Sequence, residues 1–239
     1  MKNKWLIALI IFGGVIVIGW MLARVTGALV MYRIPTTSNE PTLAVGSFVL
    51  TSNLKQPKSG NLISFQSSSF SDSIYVSERK GEIYISRLIA TEGQIIEMKD
   101  GVCFVNSKNF DADKNLLHNY LADDKVITAI PNRQELEQKN YLRQVSNNIF
   151  EIFLTTNEAT ELNKKGFKLE KAIYRDANEL WGTFKWMNKD LVWSIDNFGP
   201  LKIPKGHFFV MGDNRHNSID SRFIGFIKKE NFRGTVLGK

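Results

Sequence analysis

The sequence is poor in the residues that build disulfide and metal sites. One cysteine, Cys103, stands in 239 residues, which excludes an internal disulfide and a cysteine-based zinc centre. Three histidines, His118, His207 and His216, are too scattered to read as a metal cluster. Only six prolines, with no repeat and no low-complexity tract, exclude a collagen-like chain. Charged residues make up 23% and hydrophobic residues 43%, which excludes a disordered chain and a polytopic membrane protein. Acidic residues are also in deficit, at 24 against 31 lysines and arginines, for a net charge of +7. Such a balance suits nucleic acid or anionic lipid headgroups. No nucleic-acid motif is found, and the N-terminus favours lipid.

What is there begins with an apolar run. Trp5 to Ala23 reads WLIALIIFGGVIVIGWMLA, with no charge inside, Lys2 and Lys4 before it and Arg24 after it. At about 1.5 Å per residue its length approaches the ~30 Å hydrocarbon core of a bilayer. Trp5 and Trp20 stand near its ends, where amphipathic rings favour the interface. The run is longer than a typical signal core and lacks a clean small-x-small site after it, so we read a retained anchor. Lys2, Lys4 and the amino terminus place the N-side in the cytoplasm, against Arg24 and Arg33 on the other side.

After the anchor the pattern is mainly β. SFVLTS, LISFQS, SIYVSE, EIYISRLIA, QIIEMK and GVCFVN are short runs rich in Val, Ile, Phe and Tyr, many of them separated by glycine. Asp100-Gly101 between two of them predicts a hairpin. Cys103 in that hairpin reads as a core or edge residue. From Ser107 to Lys185 polar, helix-leaning stretches intervene, and TNEATELNKKG predicts a helix capped at Thr156 or Asn157 and ended at Gly166. This segment reads as an inserted small α+β subdomain.

Three segments carry a resemblance. They are IPTTSNEPTLAVGSFVL (34–50), YISRLIATEGQIIEMKDGVCFVN (84–106) and IPKGHFFVMGDNRHNSIDSRFIGFI (203–227). In this order behind an anchor, they resemble type I signal peptidases, membrane-anchored serine proteases that remove signal peptides from exported proteins. The resemblance places Ser38 at the nucleophile position. It assigns the Ser38 amide and the Thr36 hydroxyl to an oxyanion hole, where preorganised donors contribute ~3–4 kcal/mol each. Pro41 biases Glu40 to an extended backbone, suited to presenting Ser38 on a rigid turn. The resemblance makes Ser218 the hydroxyl that orients the base, with Gly212, Asp213, Arg215, Asp220 and Arg222 supporting the site.

The sequence departs from this pattern at the base. The bacterial family has Lys-Arg where this chain has Ser86-Arg87. The secretory branch of eukaryotes has histidine there. A desolvated lysine acts as general base near neutral pH, serine lacks comparable proton affinity, and guanidinium stays charged. Lys80 reads as a turn residue. His216 reads as a solvated loop residue or, alternatively, as a base; His207 and His118 read as core or solvated residues. Asn61 stands where the family commonly has aspartate.

The resemblance implies a mainly β catalytic core in two parts, 32–106 and 186–239, behind an anchor over 1–31, with 107–185 inserted. It implies a serine endopeptidase without metal or organic cofactor. Its partners would be signal peptides and the lipid bilayer, not nucleic acid. Its place would be a bacterial-type inner membrane, catalytic domain outside the cytoplasm. The alternative is a catalytically impaired relative that binds peptides and assists export or surface assembly.

Overall fold

The computed structural model describes residues 2–66, 81–175 and 193–238. Lys80 and the strand expected over 73–78 lie outside the described residues. Helix α1 (Lys2–Val25) contains a span of 23 residues apolar and long enough to cross a membrane. Its side chains are exposed all round, with Leu9 at 66% and Phe12 at 64%, as an apolar solvent would require.

The chain then enters β1 (Val30–Arg33), β2 (Phe48–Ser52), β3 (Leu62–Gln66) and β4 (Ile83–Thr91). A meander follows, β5 (Ile95–Lys99), β6 (Val102–Val105) and β7 (Lys108–Asn109). The β5–β6 turn is the expected Asp100-Gly101 pair, both at positive φ (45° and 68°), which matches the strand twist of a two-residue hairpin. Asn106-Ser107 repeats that geometry between β6 and β7.

Next come β8 (Leu117–Asp123), α2 (Asp124–Ala129), α3 (Arg133–Gln138), β9 (Leu142–Ser146), β10 (Ile149–Thr155), α4 (Thr156–Lys164) and β11 (Glu170–Lys171). These strands form their own sheet, in the order β11-β8-β10-β9, over a separate cluster that includes Tyr120, Val126, Ile152, Leu154 and Leu162. The cap of α4 is Thr155, one residue before the expected position. Its hydroxyl accepts from the Glu158 amide while the Glu158 carboxylate accepts from the Thr155 amide. This reciprocal box satisfies two helix-end donors at once, which Thr156 or Asn157 as cap would not do.

The chain closes with β12 (Phe198–Lys202), β13 (His207–Met211), α5 (Ser221–Ile224), β14 (Ile227–Lys228) and β15 (Phe232–Val236). Strands far apart in sequence build a seven-stranded antiparallel sheet, β1-β2-β15-β3-β4-β13-β14. The meander pairs with β12 as a third sheet. Cys103 packs there with Ile96, Phe198 and Phe209. Burial pushes its thiol up to about 12, so it is an inert core residue.

Strand β4 creates the cleft. Strand β3 covers Ile83–Arg87 on one side, but on the other side β13 covers only Arg87–Thr91. Leu88 exchanges backbone bonds with Gly60 and Asn61 on the β3 side. By alternation, Tyr84 and Ser86 face β3 too, and Ile83 and Ile85 turn their backbone groups to the open side. The open edge of β4 therefore faces the segment that follows β1.

Candidate active site

Residues Thr37–Asn39 form one turn of 3-10 helix after an extended Thr36 (φ −131°, ψ 164°). Glu40 behind it is extended (φ −63°, ψ 144°), as the residue before a proline should be. Ser38 is half-buried on this turn, and the Thr36 hydroxyl donates to Ser38 Oγ at 3.2 Å. Behind the serine, the Asn39 amide side chain donates to the Ile85 carbonyl at 2.7 Å. That bond ties the turn to the open edge of β4.

The turn after β13 clamps this segment. The Asn214 amide donates to the Ser38 carbonyl at 3.0 Å, the Asn214 side chain to the Thr37 carbonyl at 3.3 Å, and the Asn217 side chain to the Thr37 hydroxyl at 3.2 Å. Gly212 makes the approach possible. A Cβ there would stand 2.2 Å from Ser218 Oγ and 2.4 Å from the Ser38 carbonyl oxygen. Gly212→Ala should therefore push the two serines apart. We expect destabilisation of about 1–3 kcal/mol with loss of any Ser38-dependent activity, checked by thermal unfolding and by assay of the same sample.

Three Asp–Arg pairs brace the turn. Arg87 forks onto Asp213, at 2.6 and 2.5 Å, and donates to the Gly60 carbonyl. Arg215, 1% exposed, forks onto Asp111 at 2.7 and 2.5 Å. Burial would lower the Arg215 guanidinium, but the Asp111 carboxylate outweighs it and holds the charge firmly in place. Arg222 pairs with Asp220, both fully buried, and Asp220 also accepts from the Gly212 amide at 3.0 Å. Asn61 accepts from the Lys58 amide and so closes the turn before β3. Asp213 carries the charge opposite Arg87.

Ser38, Ser86, Ser218 and Thr36 line one cavity of about 540 Å³, with the open edge of β4 along its wall. Ser86 is 3% exposed. The Ser218 hydroxyl is buried and has no hydrogen-bond partner. His216 also reaches the cavity wall, but it is not the solvated loop residue expected. Its ring is fully buried, Nδ1 accepts from the Asn119 amide at 2.9 Å, and Nε2 lies 3.0 Å from Asp196. The proton therefore sits on Nε2, facing Asp196, and the Nδ1 lone pair is occupied, which leaves no acceptor for a serine proton. Burial would raise the Asp196 carboxyl, but the His216 ring N–H and the Tyr174 amide outweigh it and hold the group below the ordinary carboxylate value.

His118 lies edge-on to His216 with Nδ1 buried and unpartnered. Burial, with Lys171, His216, Arg215 and Arg222 nearby, holds it well below its ordinary 6.5. The unfolded chain thus takes a proton near pH 6.5 that the folded chain refuses. Stability is full above that value and should decline as pH falls from about 6.5 toward 5. A His118→Gln variant should flatten this slope in thermal melts; an unchanged slope would remove His118 as its source. His207 stands apart, beside the Lys205 carbonyl and the Phe226 ring.

Sequence reasoning missed Arg87, Asn39, Asp111, the His216–Asp196 pair and the Tyr141 hydroxyl. Tyr141 donates to Glu40 at 2.9 Å and accepts from Asn214 at 3.0 Å. Arg87 stands in the family's Lys-Arg pattern and His216 reads alternatively as a base, but no local pattern marks their partners, which are distant in the chain.

The family model described as signal peptidase, peptidase S26, matches residues 3–238. Signal peptidase I of Buchnera aphidicola subsp. Baizongia pistaciae is 28% identical over 219 residues, covering 86% of this chain and 67% of the relative. Signal peptidase I of Aquifex aeolicus is 27% identical over 232 residues, covering 86% and 73%. Signal peptidase I T of Bacillus subtilis is 58% identical over 40 residues, 16% of this chain and 21% of the relative. A crystal structure of a signal peptidase I from Enterococcus faecalis V583 aligns with TM-score 0.34 at 19% identity, covering 76% of this chain and 97% of that one.

Proposed function

This chain belongs to the signal peptidase S26 family, and from that premise we propose that it is a membrane-bound serine endopeptidase that removes signal peptides from exported proteins, with Ser38 as the nucleophile. The observation that carries the assignment is the clamp of the 212–218 turn on the Ser38 turn, beside an open strand edge. An extended peptide adds to such an edge through its main chain, with alternate side chains entering the cavity. Its scissile carbonyl then lies against Ser38. Ser38 Oγ bonds to the carbonyl carbon, and the oxyanion meets the Ser38 amide and the Thr36 hydroxyl. Collapse expels the amine of the mature protein, leaving an ester that water hydrolyses. Asp213, Arg215, Asp220 and Arg222 hold the turn that carries Ser218. The proton of Ser38 needs an acceptor, which Ser86 does not supply.

The test is cleavage of a preprotein by the full chain in lipid vesicles, wild type against Ser38→Ala. Loss of cleavage in the variant supports the assignment, and an equal rate removes it. A second reading follows from Ser86 and from the occupied His216 nitrogens: a relative that binds signal peptides without cutting them. It predicts peptide binding at the open edge of β4 with no cleavage at any pH.

Helix α1 is long and apolar enough to be the anchor. The proposed orientation in the inner membrane puts the N-terminus in the cytoplasm and residues after the helix outside. Protease added to intact spheroplasts should then digest the folded domain; full protection would reverse the topology.

A further inference from the structure

We infer that Asn39 sets the point at which a bound peptide leaves the edge of β4. Its side chain closes the Ile85 carbonyl, so an incoming strand stops pairing there and turns its scissile carbonyl to Ser38. The inference rests on the proposed reading of Ser38 as nucleophile and of β4 as the peptide edge. Asn39 is then a positioning residue, and what it positions is the main chain of the substrate. The Asn39 side-chain amide donates to the Ile85 carbonyl at 2.7 Å. Ser38, Asn39, Ile83 and Ile85 line the same cavity. Ile83 and Ile85 turn their backbone groups to the open side of β4, and among the described residues no strand pairs with them there.

Packing alone does not account for an asparagine at this place. Asn39 is 4% exposed, and its Oδ1 is buried with no hydrogen-bond partner. An apolar side chain of similar volume would fill the space without an orphaned acceptor. The turn also has backbone bonds of its own. The Asn214 amide donates to the Ser38 carbonyl at 3.0 Å, the Glu40 amide to the Thr37 carbonyl at 3.0 Å, and the Leu43 amide to the Asn39 carbonyl at 2.9 Å. What the Asn39 side chain adds is a donor on a strand edge that would otherwise take a peptide N–H. An extended peptide therefore pairs at Ile83 and at the Ile85 amide, and parts from β4 at the Ile85 carbonyl.

This predicts an unusual split: removal of the Asn39 amide should tighten binding and slow cutting. The full chain in lipid vesicles is given a synthetic precursor peptide spanning a signal-peptide cut. Affinity is read in the Ser38→Ala background, so that no cleavage intervenes. Adding Asn39→Leu frees the Ile85 carbonyl for a peptide N–H, and the peptide should bind about two- to tenfold tighter, the worth of one main-chain hydrogen bond. A scan of N-methylated peptides locates that bond: a methyl at one amide should erase the gain. With Ser38 present, Asn39→Leu should lower KM and also lower kcat by about tenfold or more, because the peptide follows β4 too far and its carbonyl misses Ser38. A purely structural role for Asn39 predicts weaker binding instead. Asn39→Ala, which adds no apolar bulk, should give the same signs.

Equal or weaker peptide binding by the Asn39 variants, with circular dichroism showing them folded, overturns the inference. So does a gain that no single N-methyl group removes, since that is contact with the new leucine. Tighter binding with unchanged kcat overturns the positioning role. If neither variant folds, Asn39 holds the fold rather than the edge, and the inference falls. If wild type binds the peptide and does not cut it, the endopeptidase reading fails while the affinity arm still decides on Asn39. If the Ser38→Ala protein binds no precursor peptide, both fall.

Discussion

Ser86→Lys should raise the rate of signal-peptide cleavage by ~10²–10⁴-fold, the usual value of a positioned general base. The new side chain leaves a buried position on β4 and enters the cavity that also holds Ser38 and the unpartnered Ser218 hydroxyl. Burial at position 86 and the apolar walls depress the ammonium, so the rate should rise with pH along a limb below the ~10.4 of free lysine. The sign is fixed: only the neutral amine accepts the Ser38 proton, so acid suppresses the reaction. Removing Ser218 in the same variant should lower the rate and shift the limb, because the hydroxyl orients the nitrogen. A Ser86→Lys protein that folds and shows no gain would remove position 86 as the place of the base.

The second large effect is on stability. Asp220 and Arg222 are both fully buried, and Asp220 also accepts from the Arg222 and Gly212 amides. Asp220→Ala strips the buried guanidinium of its carboxylate and the Gly212 amide of its acceptor. Breaking a buried pair from one side costs roughly 3–5 kcal/mol. For a chain of this size that is a fall in Tm of about 10 °C. Asp220→Asn keeps an acceptor oxygen and should cost less. A Tm within a degree of wild type for Asp220→Ala would show that the pair does not hold the turn.

Much of the site was legible because its signals are local. Asp100-Gly101 predicted its hairpin because only certain residues accept positive φ at both turn positions. Gly212 was named from the resemblance as a supporting residue, and the distances at its Cβ position show what a side chain there would meet. The cap of α4 was misplaced by one residue because three polar residues, Thr155, Thr156 and Asn157, all qualify as caps. Only the return contact from Glu158 selects among them.

The rest was not legible because it is made across the fold. Asp111 meets Arg215 over 104 residues, and Tyr141 meets Glu40 over 101. Both Asp111 and Tyr141 come from the segment that sequence pattern set apart as an insert. Leu117 pairs its backbone with Asp213 and Arg215, and Asn119 holds His216. Strand β8 thus grips the back of the turn after β13. His216 read as solvated because its neighbours in sequence are polar; burial came from β8 and from Asp196, which no local pattern announces.

The central claim is that Ser38 and the group at position 86 act as one unit. The most direct test is a double-mutant cycle on preprotein cleavage in lipid vesicles: wild type, Ser38→Ala, Ser86→Lys and the double variant, at several pH values. The account predicts slow cleavage by wild type, a gain of about a hundredfold or more for Ser86→Lys, and no cleavage by either protein that carries Ser38→Ala. The lysine should thus be worth nothing without the serine. Cleavage that survives Ser38→Ala in either background, or a lysine gain of equal size with and without Ser38, would contradict it.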